Sequence, residues 1–264
     1  MIANAAALHT RASLEADLAR LGVIPGMTLI VHSALSRVGT VVSGAQAVIQ
    51  ALMDRLGPGG TLVMPTFSGG LTDPAGWRAP PVADAWHAAI RVAMLPFDAA
   101  RTPTRNMGTI PEQFRTWPGV RRSAHPVLSL AAWGRHAETL TADHPLAWAL
   151  GDGTPMGRFY ECGGHVLLIG VGHDRNSSLH LAETRAVHRR TEMRRMPVER
   201  GGIVAWEDHP DVADDAGVLF PRVGAAFEAT GAVRIGRVGN AEARLMSQPA
   251  LVDFATPWLD AALA

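Results

Sequence analysis

The chain has 264 residues, which is enough for one large domain or two small ones. Its 24 basic side chains balance 24 acidic ones, so the net charge does not favour nucleic acid or a membrane surface as a partner. All the basic residues are arginines, and the absence of lysine excludes a Schiff-base lysine, a phosphate-loop lysine and a lysine base.

Helical spacing of apolar residues predicts helices at 12–21, 44–56, from 105 through Phe114, and at 134–140, 178–189, 218–229 and 251–263. Short β-rich apolar runs predict strands at 28–32, 61–64, 127–133, 166–169 and 233–238, with a hairpin over 193–206. Polar or Pro/Gly-rich segments at 33–39, 69–81 and 143–156 are predicted to be loops. This alternation is typical of a layered α/β domain, and without repeats or a linker one domain over 1–264 is expected.

The cysteine content and the N-terminal sequence both bear on the compartment of the protein. The single cysteine, Cys162, cannot form an internal disulfide or a thiolate zinc site, and we expect it to be a partly buried filler beside Gly163. The apolar run at 2–8 has no basic flank before it, so it differs from a signal peptide. With no apolar run of membrane-spanning length further on, a cytoplasmic location is expected.

Two nucleotide-binding motifs are nearly present, and both fail. The segment 39–44 has the glycine spacing of a phosphate loop, but Ala45 and Gln46 stand where Lys and Ser/Thr are required. Gly170 and Gly172 follow a predicted strand, yet Arg175 occupies the third glycine position of the dinucleotide motif. G-x-S-x-G, H-E-x-x-H and C-x-x-C patterns are also absent from the sequence, so serine hydrolases and zincins have no support.

The residues that best fit catalysis follow the predicted strand 166–169. His180 and Glu183 are three positions apart, so they share one face of the predicted helix and can touch. A histidine whose tautomer is fixed by a carboxylate can act as a general base. His173 and Asp174 lie in the loop between this strand and this helix, which raises the local density of titratable groups.

Polar residues also follow two other predicted strands. His32 and Ser33 come after the strand at 28–32, and Thr66 comes after the strand at 61–64. Open α/β sheets bind ligands just beyond the carboxyl ends of their strands. The three strand ends are therefore expected to form one crevice.

Four blocks of sequence resemble the aminoglycoside 3-N-acetyltransferases, a family whose fold is distinct from the GCN5-type acetyltransferase fold. The blocks are LGVIPGMTLIVHSALSRVG, GPGGTLVMPTFSG, RNMGTIPEQFRTWPGVRRSAHPVLSLAAWG and HPLAWALGDGTPMGRFYECGGHVLLIGVGHDRNSSLHLAE. Within the family, GVGHD followed by SSLHLAE is similar to the subgroup that includes apramycin-acetylating enzymes. The resemblance covers almost the whole chain and is looser after Arg189.

The resemblance implies an α/β (α+β) fold with a central mixed sheet flanked by helices. It implies transfer of an acetyl group from acetyl-CoA, without a metal, to the 3-amino group of a 2-deoxystreptamine aminoglycoside, with resistance as a function. His180 would be the base and Glu183 its partner. The residues implied to bind CoA are His32, Ser33, Ala34, Leu35, Ser36, Thr66, Arg105, Met107, Gly108 and Thr109. Because the substrate is a polycation, the candidate drug-binding acids are Asp73, Asp174, Glu207 and Asp208.

Other functions remain open from the sequence. An acetyltransferase of the same fold could act on a different amine. A metal-dependent hydrolase could use His173, Asp174, His180 and Glu183 as ligands. A non-catalytic protein that binds CoA or an aminoglycoside is the third alternative, and the chain could form a homodimer.

Overall fold

The computed structural model describes residues 7–213 and 216–264, so most of the apolar run at 2–8 lies outside the described residues. The strands are β1 (Leu8–His9), β2 (Thr28–Ser33), β3 (Thr40–Val41), β4 (Thr61–Pro65), β5 (Arg121–Arg122), β6 (Leu130–Gly134), β7 (His165–Ile169), β8 (Thr191–Arg200), β9 (Ile203–Val212), β10 (Arg234–Val238) and β11 (Ala241–Ser247). The α-helices are α1 (Arg11–Leu21), α2 (Leu35–Val38), α3 (Gly44–Leu56), α4 (His87–Ala93), α5 (Thr109–Phe114), α6 (Ala137–Thr141), α7 (Pro155–Glu161), α8 (Leu179–Arg185), α9 (Ala216–Glu228) and α10 (Gln248–Leu263).

The centre of the fold is a mixed sheet. Within the described residues it has seven strands in the order β10-β11-β7-β2-β4-β6-β5. Strand β2 runs parallel to β4 and β7, and the outer strands are antiparallel to their neighbours. Parallel strands are buried on both faces, which agrees with the nearly continuous apolar sequence of β2, β4 and β7. The mixed α/β architecture implied by the resemblance is confirmed.

Alternation along β2 divides the core into two layers. Leu29 and Val31 point to one face and pack with α1, α3 and α5. Ile30 points to the other face and packs with residues of α7, α8, α9 and α10. The sheet is therefore covered by helices on both sides, and its carboxyl-end edge is where loops can form a site.

A separate two-stranded ribbon is formed by β8 and β9. Its turn is Gly201-Gly202, and both glycines have a positive φ, as a type I′ hairpin turn requires. The hairpin predicted over 193–206 is confirmed and extends further in both strands. One side of the ribbon packs Met196 and Val198 against Val127 of the main body.

Several predicted boundaries are wrong. The helix predicted at 178–189 ends at Arg185, and beyond it the backbone N–H of His188 donates to Asp260 Oδ1 at 2.8 Å and not to a carbonyl of the helix. The strand predicted at 127–133 begins only at Leu130. Before it, the Nδ1 atom of His125 accepts the N–H groups of residues 127 and 128 and holds a turn.

Three predicted loops contain helix, and other elements were missed. Helix α2 lies inside 33–39, a short 3₁₀ helix at Pro74–Gly76 lies inside 69–81, and α7 begins inside 143–156. The start of α7 was predictable, because Thr154 accepts N–H groups of the first turn and Pro155 occupies its first position. Helix α4 and strand β11 were not predicted; the alanine-rich sequence of β11 is given its strand conformation by pairing with β7 and β10.

Cys162 is exposed, so its interpretation as a partly buried filler is wrong. It lies at the carboxyl end of α7, beside a glycine with a positive φ, where the chain turns on the surface. Among the helices that the structure describes, none is both long and apolar enough to span a membrane.

Candidate active site

A cleft of about 710 Å³ opens where the parallel strands β7, β2 and β4 end. The backbone there continues the sheet, because Ala34 N–H donates to the carbonyl of Ile169 at 3.0 Å. The lining residues come from four chain segments: Val31, His32, Ser33, Ala34, Leu35, Ser36, Pro65, Asn106, Met107, Gly108, Thr109, Pro111, Val171, Arg175 and Ser177. The prediction that the ends of these three strands meet at one crevice is confirmed.

Two polar atoms of the cleft wall lack partners. His32 Nε2 and Ser33 Oγ are buried and make no hydrogen bond within the described residues. Burial, and then the nearby charge of His180, lower the pKa of His32 to about 3. His32 is therefore neutral near pH 7. Buried polar atoms are normally hydrogen-bonded, so this part of the wall has the character of a ligand site.

His180 and Glu183 form the pair that their spacing predicts. His180 Nδ1 lies 3.0 Å from Glu183 Oε2, and the two side chains are 15% and 3% exposed. The His180 ring also packs edge-on against Phe220, with ring centroids 4.8 Å apart. If Nδ1 donates to the carboxylate, the lone pair of Nε2 is free to accept a proton. His180 is not part of the cleft lining itself; it lies in the first turn of α8, three residues after the lining residue Ser177, and its charge acts on His32.

The far wall of the cleft is the turn before α5. Asn106 and Gly108 both have a positive φ, at 61° and 88°, and glycine adopts this conformation without strain. Met107, Gly108 and Thr109, which were predicted from the resemblance, line the cleft together with Asn106 and Pro111.

Thr66 and Arg105 lie outside the cleft lining. The Thr66 hydroxyl is buried and donates to the carbonyl of Ser129 at 3.0 Å. The Arg105 guanidinium lies over Trp77, 5.7 Å from the ring centroid, and donates to the carbonyl of Ala79 at 3.4 Å. Direct contacts of these two side chains with a ligand remain predictions.

Three of the four predicted drug-binding acids, Asp73, Asp174 and Glu207, are paired with arginines. Asp73 accepts two hydrogen bonds from Arg91, at 2.6 and 2.9 Å, and this contact lowers the pKa of Asp73. Asp174 is half-exposed beside the cleft residue Arg175, 3.1 Å from its Nε atom. A cationic substrate would compete with these arginines for the carboxylates.

The other two acids, Glu207 and Asp208, point to opposite faces of strand β9, since side chains alternate along a strand. Glu207 accepts two hydrogen bonds from Arg200 and one from His209, contacts that lower the pKa of Glu207 to about 2. Asp208 is exposed on the other face.

Sequence reasoning missed a fifth acid, Asp211, which lies on the Glu207 face and is buried. Burial raises its pKa, while the charges of Arg194 and His180 oppose that effect. Alternation from Glu207 through His209 would have indicated this position. Arg175 was also missed as a cleft residue.

The four residues of the hydrolase alternative do not form a ligand set. His173 bonds to Glu228 at 3.0 Å, while Asp174 pairs with Arg175. In residues 7–213 and 216–264, no three His, Cys, Asp or Glu side chains are grouped as metal ligands. The hydrolase alternative is not favoured.

A buried histidine–carboxylate pair beside a cleft at the carboxyl ends of parallel strands is typical of an enzyme active site. The sequence model described as aminoglycoside 3-N-acetyltransferase matches residues 30–260. The chain belongs to this family.

The similarity between this chain and its relatives extends over nearly the whole length of both. The chain is 42% identical over 251 residues to the SPbeta prophage-derived aminoglycoside N(3')-acetyltransferase-like protein YokD of Bacillus subtilis (strain 168), covering 95% of this chain and 92% of the relative. The crystal structure of YokD gives a TM-score of 0.92 at 41% identity, covering 96% of this chain and 99% of that one.

Two further solved structures contain ligands. AAC-IIIb, in a binary complex with CoASH, gives a TM-score of 0.84 at 34% identity, covering 97% of this chain and 98% of that one. AAC-VIa, bound to sisomicin, gives a TM-score of 0.86 at 32% identity, covering 97% of this chain and 99% of that one.

Proposed function

We propose that this protein transfers an acetyl group from acetyl-CoA to the 3-amino group of a 2-deoxystreptamine aminoglycoside, with His180 as general base. The observation that carries the proposal is the buried His180–Glu183 pair beside the cleft at the ends of β2, β4 and β7. Family membership and the relatives described with CoASH and sisomicin support the substrates.

The cleft residues fit a CoA-type substrate. The space of about 710 Å³ accommodates an extended arm, and His32 Nε2 and Ser33 Oγ offer unsatisfied polar atoms in its wall. Residues Ala34 to Ser36 and the turn at 106–109 would hold the arm from two sides, and Arg175 supplies a positive charge for a phosphate. Acetyl-CoA supplies the acetyl group as a reactive thioester.

His180 would accept a proton from the substrate amine in the orientation that its contact with Glu183 gives it. An ammonium nitrogen has no lone pair, so the amine must react in its neutral form. A base then takes a proton from the nitrogen as it attacks the thioester carbonyl. Glu183 accepts the hydrogen bond from Nδ1, keeps the lone pair on Nε2 and stabilises the imidazolium that forms. The amine nitrogen forms its bond to the acetyl carbon as the C–S bond breaks, and the proton held by His180 Nε2 passes to the departing CoA thiolate. The acetyl group therefore moves directly to the amine, and no acyl-enzyme is required.

The attack also creates negative charge on the thioester oxygen, which needs hydrogen-bond donors. Thr109 begins α5 on the cleft wall and carries both a backbone N–H and a hydroxyl. Thr109 is the donor we propose among the predicted cleft residues.

An acetyl-CoA thiol-release assay with a panel of aminoglycosides tests the proposal. We expect thiol release that depends on the drug, with mass spectrometry placing one acetyl group on the 3-amino nitrogen. Release with non-aminoglycoside amines alone would favour an acetyltransferase of different specificity. CoA binding without release for any amine would favour a non-catalytic binding protein.

A further inference from the structure

The cleft wall at 106–109 depends on support from outside. Residues 97–105, which lead into it, contain no α-helix or strand, and two of the wall residues have a positive φ. Such a segment lacks a hydrogen-bond ladder of its own, so its backbone groups must find partners elsewhere. The hydrogen-bond partners of residues 97–105 therefore determine the position of the cleft wall at 106–109.

Arg122 supplies two of these backbone partners. Its Nη1 atom donates to the carbonyls of Thr102 at 2.5 Å and Ala99 at 3.3 Å. Its guanidinium also lies over the ring of Phe97, 4.8 Å from the centroid. One side chain therefore contacts the leading loop at three points.

The same guanidinium is fixed to the end of strand β4. Nη2 donates to the carbonyl of Thr66 at 2.7 Å, and Nε donates to Ser129 Oγ at 3.0 Å. Thr66 and Ser129 are buried, and their hydroxyls each donate to the other's carbonyl. Because Pro65, which precedes Thr66, lines the cleft, Arg122 connects the two opposite walls.

In the described part of the chain, all four hydrogen-bonding groups that Arg122 contacts are uncharged oxygens. Burial, and then the charge of Arg115, lower the pKa of Arg122 to about 10. An arginine can bridge these acceptors because its donors have a rigid planar arrangement, which lysine lacks.

We propose that Arg122 is a positioning residue that sets the spacing of the cleft walls and thereby the affinity for acetyl-CoA. This inference rests on the proposed function, in which the cleft binds CoA. Arg122 itself does not line the cleft, so its effect is transmitted through the loop and Thr66.

The test compares Arg122→Gln and Arg122→Lys with Arg121→Gln. Arg121 is the adjacent arginine on β5, is 59% exposed, and lies 3.6 Å from Glu138. For Arg122→Gln we expect the KM for acetyl-CoA and the Kd for CoA to rise about tenfold, with kcat changed less than about threefold. Arg122→Lys should show a smaller rise, and Arg121→Gln should match the wild type.

Amide hydrogen exchange gives a readout without turnover. Exchange at 106–109 should accelerate in both Arg122 variants and not in Arg121→Gln. An Arg122→Gln protein of lower thermal stability but wild-type CoA affinity and wild-type exchange would overturn the inference, since its role would be purely structural. If that variant does not fold, the same result for Arg122→Lys overturns it. A wild-type protein that does not bind CoA would contradict the proposed function, and the exchange data would still test the positioning.

Discussion

At the scale of single residues, the candidate chemistry depends on one hydrogen bond. Glu183 is 3% exposed and lies 3.0 Å from His180 Nδ1, so its carboxylate has little water to compete with the imidazole. The pair fixes the ring and leaves Nε2 for the substrate. The two side chains thus have different expected effects on turnover.

For His180→Ala we expect kcat to fall about 10³-fold, because the base is lost, with the Kd for CoA unchanged. Glu183→Gln should lower kcat by about ten- to hundredfold, because the imidazole remains but loses its orienting carboxylate. Steady-state kinetics and calorimetric CoA titration measure both. If His180→Ala kept most of its kcat, another group would be the base.

Glycine at the end of β7 gives a second prediction at this scale. A Cβ at Gly170 would lie 2.5 Å from Arg37 Cβ, whereas a Cβ at Gly163 would meet nothing within 4 Å. Both glycines have nearly the same φ, at 66° and 64°. Gly163→Ala should therefore cost about 1 kcal/mol of unfolding free energy from backbone strain.

Gly170→Ala should cost about 1–3 kcal/mol more, because the backbone fixes the position of the Arg37 Cβ and relief of the clash requires a backbone shift. Chemical denaturation of both variants measures the difference. Equal losses would mean that Arg37 adapts without cost.

At the scale of elements, the acidic side chains of strand β9 lie on different faces of the β8–β9 ribbon. Glu207 and Asp211 share the face on which Met196 packs against the body, and Asp208, which is itself exposed, lies on the opposite face together with Trp206. Asp211 interacts electrostatically with His180, and its Oδ2 atom lies 3.3 Å from Arg194 Nε. The ribbon therefore brings a buried carboxylate toward the proposed base, although it is distant in sequence.

We expect Asp211→Asn to lower kcat/KM for an aminoglycoside about tenfold, because a negative charge near His180 and the substrate ammonium is lost. Asp208→Asn, the same change at an exposed carboxylate on the opposite face, should alter kcat/KM by less than about twofold. Initial-rate kinetics with one drug compares the two variants. A larger fall in kcat/KM for Asp208→Asn would place the cationic substrate on the face of the ribbon that carries Asp208.

At the scale of the whole molecule, three of the buried histidines, His32, His125 and His144, make folding most sensitive to acid. Burial is the first cause that lowers the pKa of His32 and His125 to about 3 and that of His144 to about 4. In the unfolded chain they titrate near pH 6.5. Below that pH the unfolded state binds protons that the folded state does not, so stability falls as the pH falls.

Each histidine should contribute a slope of about 1.4 kcal/mol per pH unit between pH 6 and 4. Denaturant unfolding at pH 8, 7, 6 and 5 should give a constant free energy above pH 7 and a decline below 6. His144→Gln removes one titrating group and should make the decline shallower by one such slope. A free energy that stays level down to pH 5 would contradict the buried, neutral state of these rings.

Much of the fold and part of the site could be predicted from local sequence. The apolar runs of β2, β4 and β7 predict buried strands because every second residue packs on each helical layer. The spacing of His180 and Glu183 predicts their contact because residues three apart adjoin on a helix. The resemblance added cleft residues such as Gly108, whose role spacing cannot indicate. One domain over the whole chain, and the roles of the site residues, remain predictions.

By itself, the sequence determined the class of fold, the three strand ends and the histidine–carboxylate pair, since each depends on neighbours within a few residues. Tertiary structure decided which acids face His180, that Arg122 joins the two walls of the cleft, and that β11 is a strand. These features depend on contacts between segments far apart in the chain. The free energy of such contacts cannot be inferred from residue spacing or from secondary-structure propensity.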